Sequence, residues 1–280
     1  MGKAATRNWS FERSSVRYHG FRTMRLENRI ALVTGAGTGI GRAIAEMFGR
    51  EGATVVVNYS RSHEAAAEVA RGIGGQSIAV AADVSKEDAV LAMLDSIGKQ
   101  FGRLDILVNN AGWSTRVPHE RLDLLTDEIW DRTMNTNLRG AFYCVRAALP
   151  LLKQQPGANI VNIASIAGLA GVGSSMAYAA SKAGLISLTK SLARALAPQV
   201  RVNAIAPGLV RTGFAGWEDA ACEAASKLAP LQRIASVDEV AAATLFLAAE
   251  GTAMTGETLS VDCGYYSLGS VAGVRTLNAT

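Results

Sequence analysis

The stretch that decides the fold is ALVTGAGTGIG, residues 31–41, in which a short apolar run leads directly into a glycine-rich turn. Its glycines at positions 35, 39 and 41 give the spacing G-x-x-x-G-x-G, and a helical pattern begins near Arg42. Glycine lacks a Cβ atom, so it permits a tight turn between strand and helix and lets a phosphate group approach the positive end of the helix. The stretch therefore predicts a dinucleotide-binding turn, with a packing turn that binds nothing as the alternative.

The rest of the chain alternates short apolar runs with alanine-rich helical segments. Apolar strands without polar alternation, joined by helices, predict a parallel sheet that is covered on both faces. Right-handed crossovers then give a doubly wound α/β fold with its ligand crevice at the carboxyl ends of the strands. The predicted strands are Ile30–Thr34, Thr54–Asn58, Ser77–Ala81, Asp105–Asn109, Asn159–Ala164, Val200–Ala206 and Thr258–Val261, and the predicted helices lie near 40–50, 62–71, 86–100, 127–150, 175–197 and 236–250.

Composition excludes several other classes of protein. Hydrophobic residues make up 49% and charged residues 19% of the 280 residues, as in globular proteins. The longest apolar run in the body, Ala241 to Ala249, is far shorter than the ~18 residues that a membrane span needs. Cys144, Cys222 and Cys263 lack paired spacing, and the three histidines are isolated. We therefore expect no membrane segment, no disulfide framework, no metal site and a cytoplasmic location.

Positive charge is concentrated at the N-terminus. The net charge is +4, yet residues 1–25 hold six basic residues against Glu12, which leaves −1 for residues 26–280. The nearly neutral body gives no reason to expect nucleic-acid binding. We predict that residues 1–23 form a basic, flexible extension and that residues 24–280 form one domain. An organellar transit peptide is the alternative reading of the extension.

The end of the second predicted strand bears on the choice of dinucleotide. An acidic residue there would accept hydrogen bonds from the adenosine ribose of NAD and repel the 2′-phosphate of NADP. This strand ends in Asn58, and Ser60, Arg61 and Ser62 follow. A neutral amide removes the repulsion and the following side chains can donate to a phosphate, so the sequence favours NADP(H) over NAD(H). Alternatively, Arg61 is only a solvated residue at a helix start.

Tyr178 and Lys182, in the stretch YAASK, have the spacing that places two side chains on one face of a helix. A cation beside a tyrosine favours the phenolate and lowers its pKa, so Tyr178 could exchange a proton with a substrate oxygen near neutral pH. The pattern alone is common, and an ordinary helix face is the alternative. Ser165, 13 residues before Tyr178, follows the fifth predicted strand.

Further motifs occur in order along the chain: NNAG at 109–112, NLRG at 137–140 and PGLVRT at 207–212. With the glycine-rich turn, Ser165 and YAASK, they make the chain resemble the short-chain dehydrogenase/reductase family from about Leu26 to Gly264. The resemblance implies a single doubly wound Rossmann-type domain whose seven-stranded parallel sheet carries helices on both faces.

The resemblance also implies catalytic roles for four residues. Tyr178 would protonate a carbonyl during reduction or act as the base in alcohol oxidation. Lys182 would lower the pKa of Tyr178 and bind the nicotinamide ribose. Ser165 would polarise the substrate oxygen, and Asn137 would hold a water that links Lys182 to solvent.

Cofactor contacts are implied for three further groups of residues. The glycine-rich turn would line the pyrophosphate, the residues after the third and fourth strands would lie by the adenine and the central sheet, and the segment after the sixth strand would hold the carboxamide through Thr212. The implied set is Gly35, Thr38, Gly39, Ile40, Gly41, Asn58, Ser60, Arg61, Asp83, Val84, Asn110, Ala111, Gly112, Tyr178, Lys182, Pro207, Gly208, Val210 and Thr212.

Some features depart from the family pattern or stay open. Cys263 replaces a glycine in the sequence VDCG, which puts the local turn in doubt. Trp113, Phe214 and Trp217 flank the predicted cleft, as substrate-wall aromatics or as packing residues. Residues 210–230 suit a mobile lid over the substrate.

The leading hypothesis is an NADP-dependent carbonyl reductase that resembles the 3-oxoacyl-acyl-carrier-protein reductase branch, because VNYSRS at 57–62 and RIASVDEV at 233–240 are typical of that branch. Its substrate would be a small carbonyl or alcohol compound, free or linked to acyl carrier protein. The first alternative is an NAD-dependent sugar, polyol or secondary-alcohol dehydrogenase, and the second is a non-catalytic nucleotide-sensing scaffold. The resemblance implies a homotetramer built from helices 127–150 and 175–197 and the C-terminal strand. Those helices carry apolar residues that a two-fold pairing would bury: Phe142, Val145, Leu149, Leu185, Leu188 and Leu192.

Overall fold

The computed structural model describes residues 24–216 and 219–269. Seven parallel strands in this part form one sheet in the order β3-β2-β1-β4-β5-β6-β7. The predictions for residues 1–23, for Trp217 and for the tail after residue 269 fall outside the described residues. The strands are β1 (Ile30–Val33), β2 (Thr54–Tyr59), β3 (Ile78–Ala81), β4 (Ile106–Asn109), β5 (Ala158–Ile163), β6 (Val200–Pro207) and β7 (Thr258–Val261).

Helices cover both faces of the sheet. The bounds are α1 (Gly39–Arg50), α2 (His63–Ile73), α3 (Glu87–Phe101), α4 (Asp127–Met134), α5 (Gly140–Leu152), α6 (Ala167–Ala170), α7 (Met176–Leu196), α8 (Asp219–Leu228), α9 (Val237–Leu245) and α10 (Tyr265–Leu268). Alternate residues of β1 enter different cores: Ala31 and Val33 pack with α1, α2 and α9, whereas Leu32 packs with α3, α5 and α7. The predicted fold class is therefore confirmed, and each strand boundary lies within one residue of its prediction.

Two predicted helices are interrupted. The segment predicted as 127–150 divides into α4, a π-helical turn at Asn135–Arg139, and α5, while a second π turn, Phe246–Glu250, follows α9. Apolar periodicity does not register a single extra residue in a turn, so the sequence pattern ran through both interruptions. The short α6 and the alanine-rich α8 were not predicted as helices.

The two central strands, β1 and β4, are tied together at both ends. At the amino end, the buried Asp105 carboxylate accepts hydrogen bonds from the Ile30 backbone N–H and from the guanidinium groups of Arg29 and Arg103. At the carboxyl end, the Thr34 hydroxyl accepts hydrogen bonds from the backbone N–H groups of Asn110 and of its neighbour. The first tie holds the starts of β1 and β4 together. The second tie holds their ends together and fixes the loops that follow the two strands. No helix in 24–216 or 219–269 combines the length and the apolar character needed to cross a bilayer.

Candidate active site

A cleft of about 770 Å³ opens at the carboxyl ends of the strands, where β1 and β4 lie side by side and the strand order reverses. Parallel α/β sheets bind ligands at this reversal because the loops of the two halves separate there. Nearly all of the predicted cofactor residues line the cleft: Gly35, Thr38, Gly39, Ile40, Gly41, Asn58, Ser60, Asp83, Val84, Asn110, Ala111, Gly112, Tyr178, Lys182, Pro207, Gly208, Val210 and Thr212. Ser165 lines it as well, whereas Arg61 and Asn137 do not.

The glycine-rich turn has the geometry of a phosphate cradle. Gly35 and Gly39 have positive φ values of 62° and 56°, and α1 begins at Gly39, so its unpaired N–H groups face the cleft. A Cβ atom on Gly41 would lie 2.4 Å from both the Asn110 side-chain nitrogen and the Gly35 carbonyl oxygen. The side chain of Asn110 donates to the carbonyls of Thr34 and Gly35 and so holds the turn against β4. The residues present therefore fit a dinucleotide pyrophosphate.

Asn58, near the end of β2, has a structural role that the sequence-based interpretation did not include. Its side chain is only 1% exposed, accepts from the Gly35 N–H and donates to the carbonyl oxygens of Val80 and Ala82. Asn58 is thus a structural link between β2, β3 and the glycine turn, because its polar groups are already paired inside the protein. The next residue, Tyr59, is partly exposed, packs against the His63 ring and lines the cleft beside Asn58.

Arg61 also differs from expectation. Its side chain is exposed and does not line the cleft, although Ser60 and Ser62 on either side of it do. The Arg42 guanidinium, by contrast, already forms ion pairs with Glu46 and Glu68. A phosphate on the adenosine ribose would therefore meet Ser60 and Ser62 before any arginine in this arrangement.

Tyr178 and Lys182 project from the first two turns of α7 into the cleft. The Ser175 hydroxyl caps this helix by accepting from the Tyr178 N–H, which fixes where the helix starts. The Lys182 ammonium nitrogen lies 5.7 Å from the centre of the Tyr178 ring and donates to the Ile163 carbonyl oxygen at 2.7 Å. Ser165 enters from the end of β5, where its hydroxyl accepts from the Ala167 N–H. The three side chains that the sequence singled out thus converge on one site.

Burial sets the proton affinities of this group. Loss of solvation raises the pKa of Tyr178 to about 12, and a hydrogen bond with Ser165 only partly offsets it. Loss of solvation lowers the pKa of Lys182 to about 8. Burial is thus the main cause of the raised pKa of Tyr178, and the Lys182 ammonium is directed toward the Ile163 carbonyl. Tyr178 is therefore protonated at neutral pH.

Asn137 lies behind the cleft, in the π turn between α4 and α5. Its side-chain oxygen accepts from the Trp113 N–H, and its amide donates to the Trp113 carbonyl and to the Ser181 hydroxyl. Ser181 in turn donates to the Tyr178 carbonyl at 2.7 Å. Asn137 thereby ties the loop after β4 to α7. The sequence analysis does not identify Ser181, the residue just before Lys182, as part of the site, because a serine in a helix carries no spacing signal of its own.

The segment after β6 closes the other end of the cleft. Gly208 packs so closely that a Cβ atom there would lie 2.9 Å from the Asp262 Cβ. Cys263, the departure from the family pattern, keeps the left-handed backbone that a glycine would favour, with φ of 57°. The Asp262 carboxylate accepts from the N–H groups of Gly264 and Tyr266 and so holds this turn. The substitution at Cys263 therefore leaves the turn in place.

The two flanking aromatics that the structure describes have different surroundings. Trp113 does not line the cleft, and the Arg132 guanidinium stacks 4.2 Å from its ring centre. Phe214 lines the cleft and packs against the Tyr178 ring. In the part of the chain that the structure describes, no group of three or more His, Cys, Asp or Glu side chains could hold a metal ion.

Comparison with known proteins agrees with this geometry. Residues 35–266 match the family model described as enoyl-(acyl carrier protein) reductase. The chain is 36% identical over 246 residues to the 3-oxoacyl-[acyl-carrier-protein] reductase FabG of Thermotoga maritima. The aligned residues cover 86% of this chain and 99% of the relative. It is 40% identical over 245 residues to the 3-oxoacyl-[acyl-carrier-protein] reductase of a Synechocystis species, covering 85% and 97%.

A solved structure shows the same fold. The short-chain dehydrogenase/reductase of the glucose/ribitol dehydrogenase type from Brucella melitensis superposes with a TM-score of 0.82 at 33% identity, covering 87% of this chain and 99% of that one. The crevice and its cradle define an oxidoreductase fold that binds a nicotinamide dinucleotide, NAD(P). Within that class, the chain belongs to the short-chain dehydrogenase/reductase family.

The first prediction concerns the fit of the cradle. Gly41→Ala places a methyl group against Asn110 and the Gly35 carbonyl, so the turn must shift. We expect the dissociation constant for NADPH to rise by about 5- to 150-fold, the effect of ~1–3 kcal/mol of overpacking. Fluorescence titration with NADPH measures this.

Gly72→Ala is the matched control for this variant. Gly72 lies in α2 with nothing within 4 Å of an added Cβ, so the variant gains helix propensity without a clash. We expect it to keep wild-type NADPH affinity and to melt at a slightly higher temperature. Equal NADPH affinity in both variants would contradict the assignment of the cradle.

Proposed function

We propose that this protein reduces carbonyl compounds with NADPH, with Tyr178 as the proton donor. The observation that carries the proposal is the convergence of Tyr178, Ser165 and Lys182 on a cleft that also contains the dinucleotide cradle. A bound nicotinamide dinucleotide would supply the hydride. The protein then needs only to orient a carbonyl and to provide one proton.

Each of the four residues predicted for catalysis has a distinct task in this proposal, three at the substrate oxygen or the phenolate and one in positioning. The pKa of about 12 keeps the Tyr178 hydroxyl protonated, which is the form that donates a proton to the substrate oxygen. Ser165 hydrogen-bonds the same oxygen and fixes its position. Lys182 supplies a positive charge that stabilises the phenolate left after proton transfer. Asn137 is a positioning residue here, because its contacts are with Trp113 and Ser181.

NADP(H) is the preferred cofactor in this proposal. No carboxylate stands among Tyr59, Ser60, Arg61 and Ser62 to repel a 2′-phosphate, and the two serine hydroxyls line the cleft. Arg61 would pair with that phosphate only after its exposed side chain turns toward the cleft. NAD(H) with a sugar, polyol or secondary alcohol is the alternative pairing.

For the substrate, we propose a small carbonyl compound of the 3-oxoacyl type. Both reductases compared above are named for 3-oxoacyl groups on acyl carrier protein. A cytoplasmic location fits three cysteines that are all free in the structure. The rival reading, a non-catalytic nucleotide-sensing scaffold, has no use for the convergence of Tyr178 with Ser165.

We also propose a homotetramer. Of the apolar residues expected at its surface, Val145 and Leu185 instead lie in the core of the subunit, each 1% exposed, because they face the sheet. Phe142 remains exposed on α5. Leu122, Leu124 and Trp130 are further exposed apolar side chains.

The test of the proposed activity follows cofactor oxidation at 340 nm with a panel of ketones that includes acetoacetyl-CoA. We expect wild-type protein to consume NADPH and Tyr178→Phe to lose about 10²–10⁴-fold in kcat, because the variant lacks only the proton donor. Its NADPH affinity should be unchanged. Lys182→Ala should weaken both NADPH binding and turnover. Full turnover by Tyr178→Phe would refute the catalytic assignment, and NADPH binding without turnover of any ketone would support the scaffold.

Cofactor preference is tested by measuring dissociation constants for NADPH and NADH side by side. We expect NADPH to bind more tightly, and Arg61→Ala to reduce that preference without changing NADH affinity. The matched control is Arg71→Ala, since Arg71 lies on the exposed side of α2 and not in the cleft. NADH affinity equal to or greater than NADPH affinity would favour the NAD-dependent alternative.

Light scattering tests the oligomeric state. We expect a mass close to four times the 29.3 kDa of the chain at micromolar concentration. Phe142→Asp places a charge in the exposed apolar surface and should shift the distribution toward smaller species. A wild-type protein that runs as a single monomer peak would rule out the tetramer.

A further inference from the structure

Phe214 stands beside the proposed proton donor. Its ring centre lies 5.8 Å from that of Tyr178, with the planes tilted by 51°, and the Phe214 side chain is 37% exposed. It belongs to the turn Phe214–Gly216, which leads from β6 toward α8. An exposed aromatic ring that contacts the donor has room to contact a substrate at the same time.

The backbone around Phe214 explains how it reaches this place. Gly213, Ala215 and Gly216 all have φ between 56° and 68°, so the chain reverses sharply on both sides of the ring. The Phe214 N–H donates to the Thr212 hydroxyl at 3.3 Å. The Thr212 side chain in turn packs beside the cradle glycine Gly39, 3.4 Å from where a Cβ would stand. The ring is therefore connected through one short turn to the cofactor cradle.

The other walls near Tyr178 are also apolar. Gly173 approaches the Tyr178 ring so closely that an added Cβ would lie 3.6 Å from its Cδ1 atom, and the neighbouring Val172 is exposed. Ile166, Leu209, Ala221, Ala224, Ala225 and Leu228 line the same cleft. A carbonyl that reaches the hydroxyls of Tyr178 and Ser165 thus has apolar side chains around its substituents.

The charged side chains that line the cleft are already paired. Among the described residues these are Asp83, Lys182, Arg233 and Asp262. Ser85 donates to Asp83, Lys182 donates to the Ile163 carbonyl, and both terminal nitrogens of Arg233 donate to Glu239. The Asp262 carboxylate is held by the backbone of its own turn. Each of these charged groups is therefore already held by a partner within the protein, whereas the apolar side chains of the cleft have no such partner to satisfy.

We propose that Phe214 is a specificity-determining residue whose ring packs against an apolar group attached directly to the substrate carbonyl. The inference rests on the proposed function, since it takes Tyr178 as the group that meets the carbonyl oxygen. It narrows the substrate class to ketones that carry an aromatic or other bulky apolar substituent beside the reacting carbon. A methyl substituent in the same position would leave the Phe214 ring without a contact.

The test compares ethyl benzoylacetate with ethyl acetoacetate, which differ in a phenyl or a methyl group on the ketone carbon. For wild type, Phe214→Tyr and Phe214→Ala, the ratio of kcat/KM for the phenyl ketone over the methyl ketone is measured with saturating NADPH. We expect Phe214→Ala to lower this ratio by about 3- to 10-fold, the effect of one aromatic contact, with the loss mainly in KM. Phe214→Tyr keeps the ring and should keep the ratio.

Two controls separate this role from a general defect. Phe246→Ala removes another exposed phenylalanine, 40% exposed and outside the cleft, and should leave the ratio unchanged. The NADPH dissociation constant should be the same in all variants. A ratio that stays constant or rises in Phe214→Ala would overturn the proposal, because the ring would then be indifferent or obstructive to the apolar group.

A binding measurement keeps the inference separate from the proposed activity. Ligand-observed NMR of acetophenone with the NADP⁺ complex reports affinity without turnover, because NADP⁺ has no hydride to transfer to the ketone. We expect about 3- to 10-fold weaker binding to Phe214→Ala and unchanged binding to Phe214→Tyr. Weaker binding to Phe214→Ala, together with no ketone turnover by wild type, would defeat the reductase proposal and leave standing only the contact between Phe214 and the apolar group. Equal binding to all three proteins would defeat the role of Phe214.

Discussion

The join between β1 and β4 at their carboxyl ends is the constraint on which the site depends. The Asn110 amide donates to the carbonyl oxygens of Thr34 and Gly35, and the Thr34 hydroxyl accepts from the backbone that follows β4. These bonds hold the glycine turn on one side of the crevice and the loop that carries Gly112 on the other. All three bonds are partly buried, and each one satisfies a backbone group that the turn would otherwise leave unpaired. The glycine turn and the loop after β4 therefore share one anchor.

Much of this architecture could be predicted from the sequence, because strand and helix signals are local. The apolar runs that became β1 and β4 are bounded by turn residues, and the glycine spacing marks a turn that only a strand-to-helix connection requires. The four-residue spacing of Tyr178 and Lys182 holds in α7 as it would in any helix. The convergence of Ser165 on the same cleft follows from parallel topology, which brings the ends of all strands to one edge.

Other parts of the site depend on which way a side chain turns, and sequence spacing does not report this. Asn58 and Tyr59 both line the cleft at the end of β2, yet only the packed sheet shows that the Asn58 amide is already paired with the backbone of β3 and of the glycine turn. Arg61 has the right chemistry for a phosphate yet extends into solvent. The proton affinity of Tyr178 is a third example. Proximity to a lysine predicts a lowered pKa for Tyr178, whereas burial raises the pKa of Tyr178 and lowers that of Lys182.

The π turn that contains Asn137 has a consequence for sequence change in this region. It accommodates one residue more than a regular helix would over the same path, and each residue advances a helix by about 100°. Deleting one residue from 135–139 would therefore restore a regular helix over that path, so α5 would keep its facing while the turn that directs Asn137 toward Trp113 and Ser181 would be lost. A deletion within α5 itself has no such turn to absorb it, and it would rotate every following side chain by about 100°. A change of length is therefore absorbed by the π turn only at the cost of the Asn137 contacts.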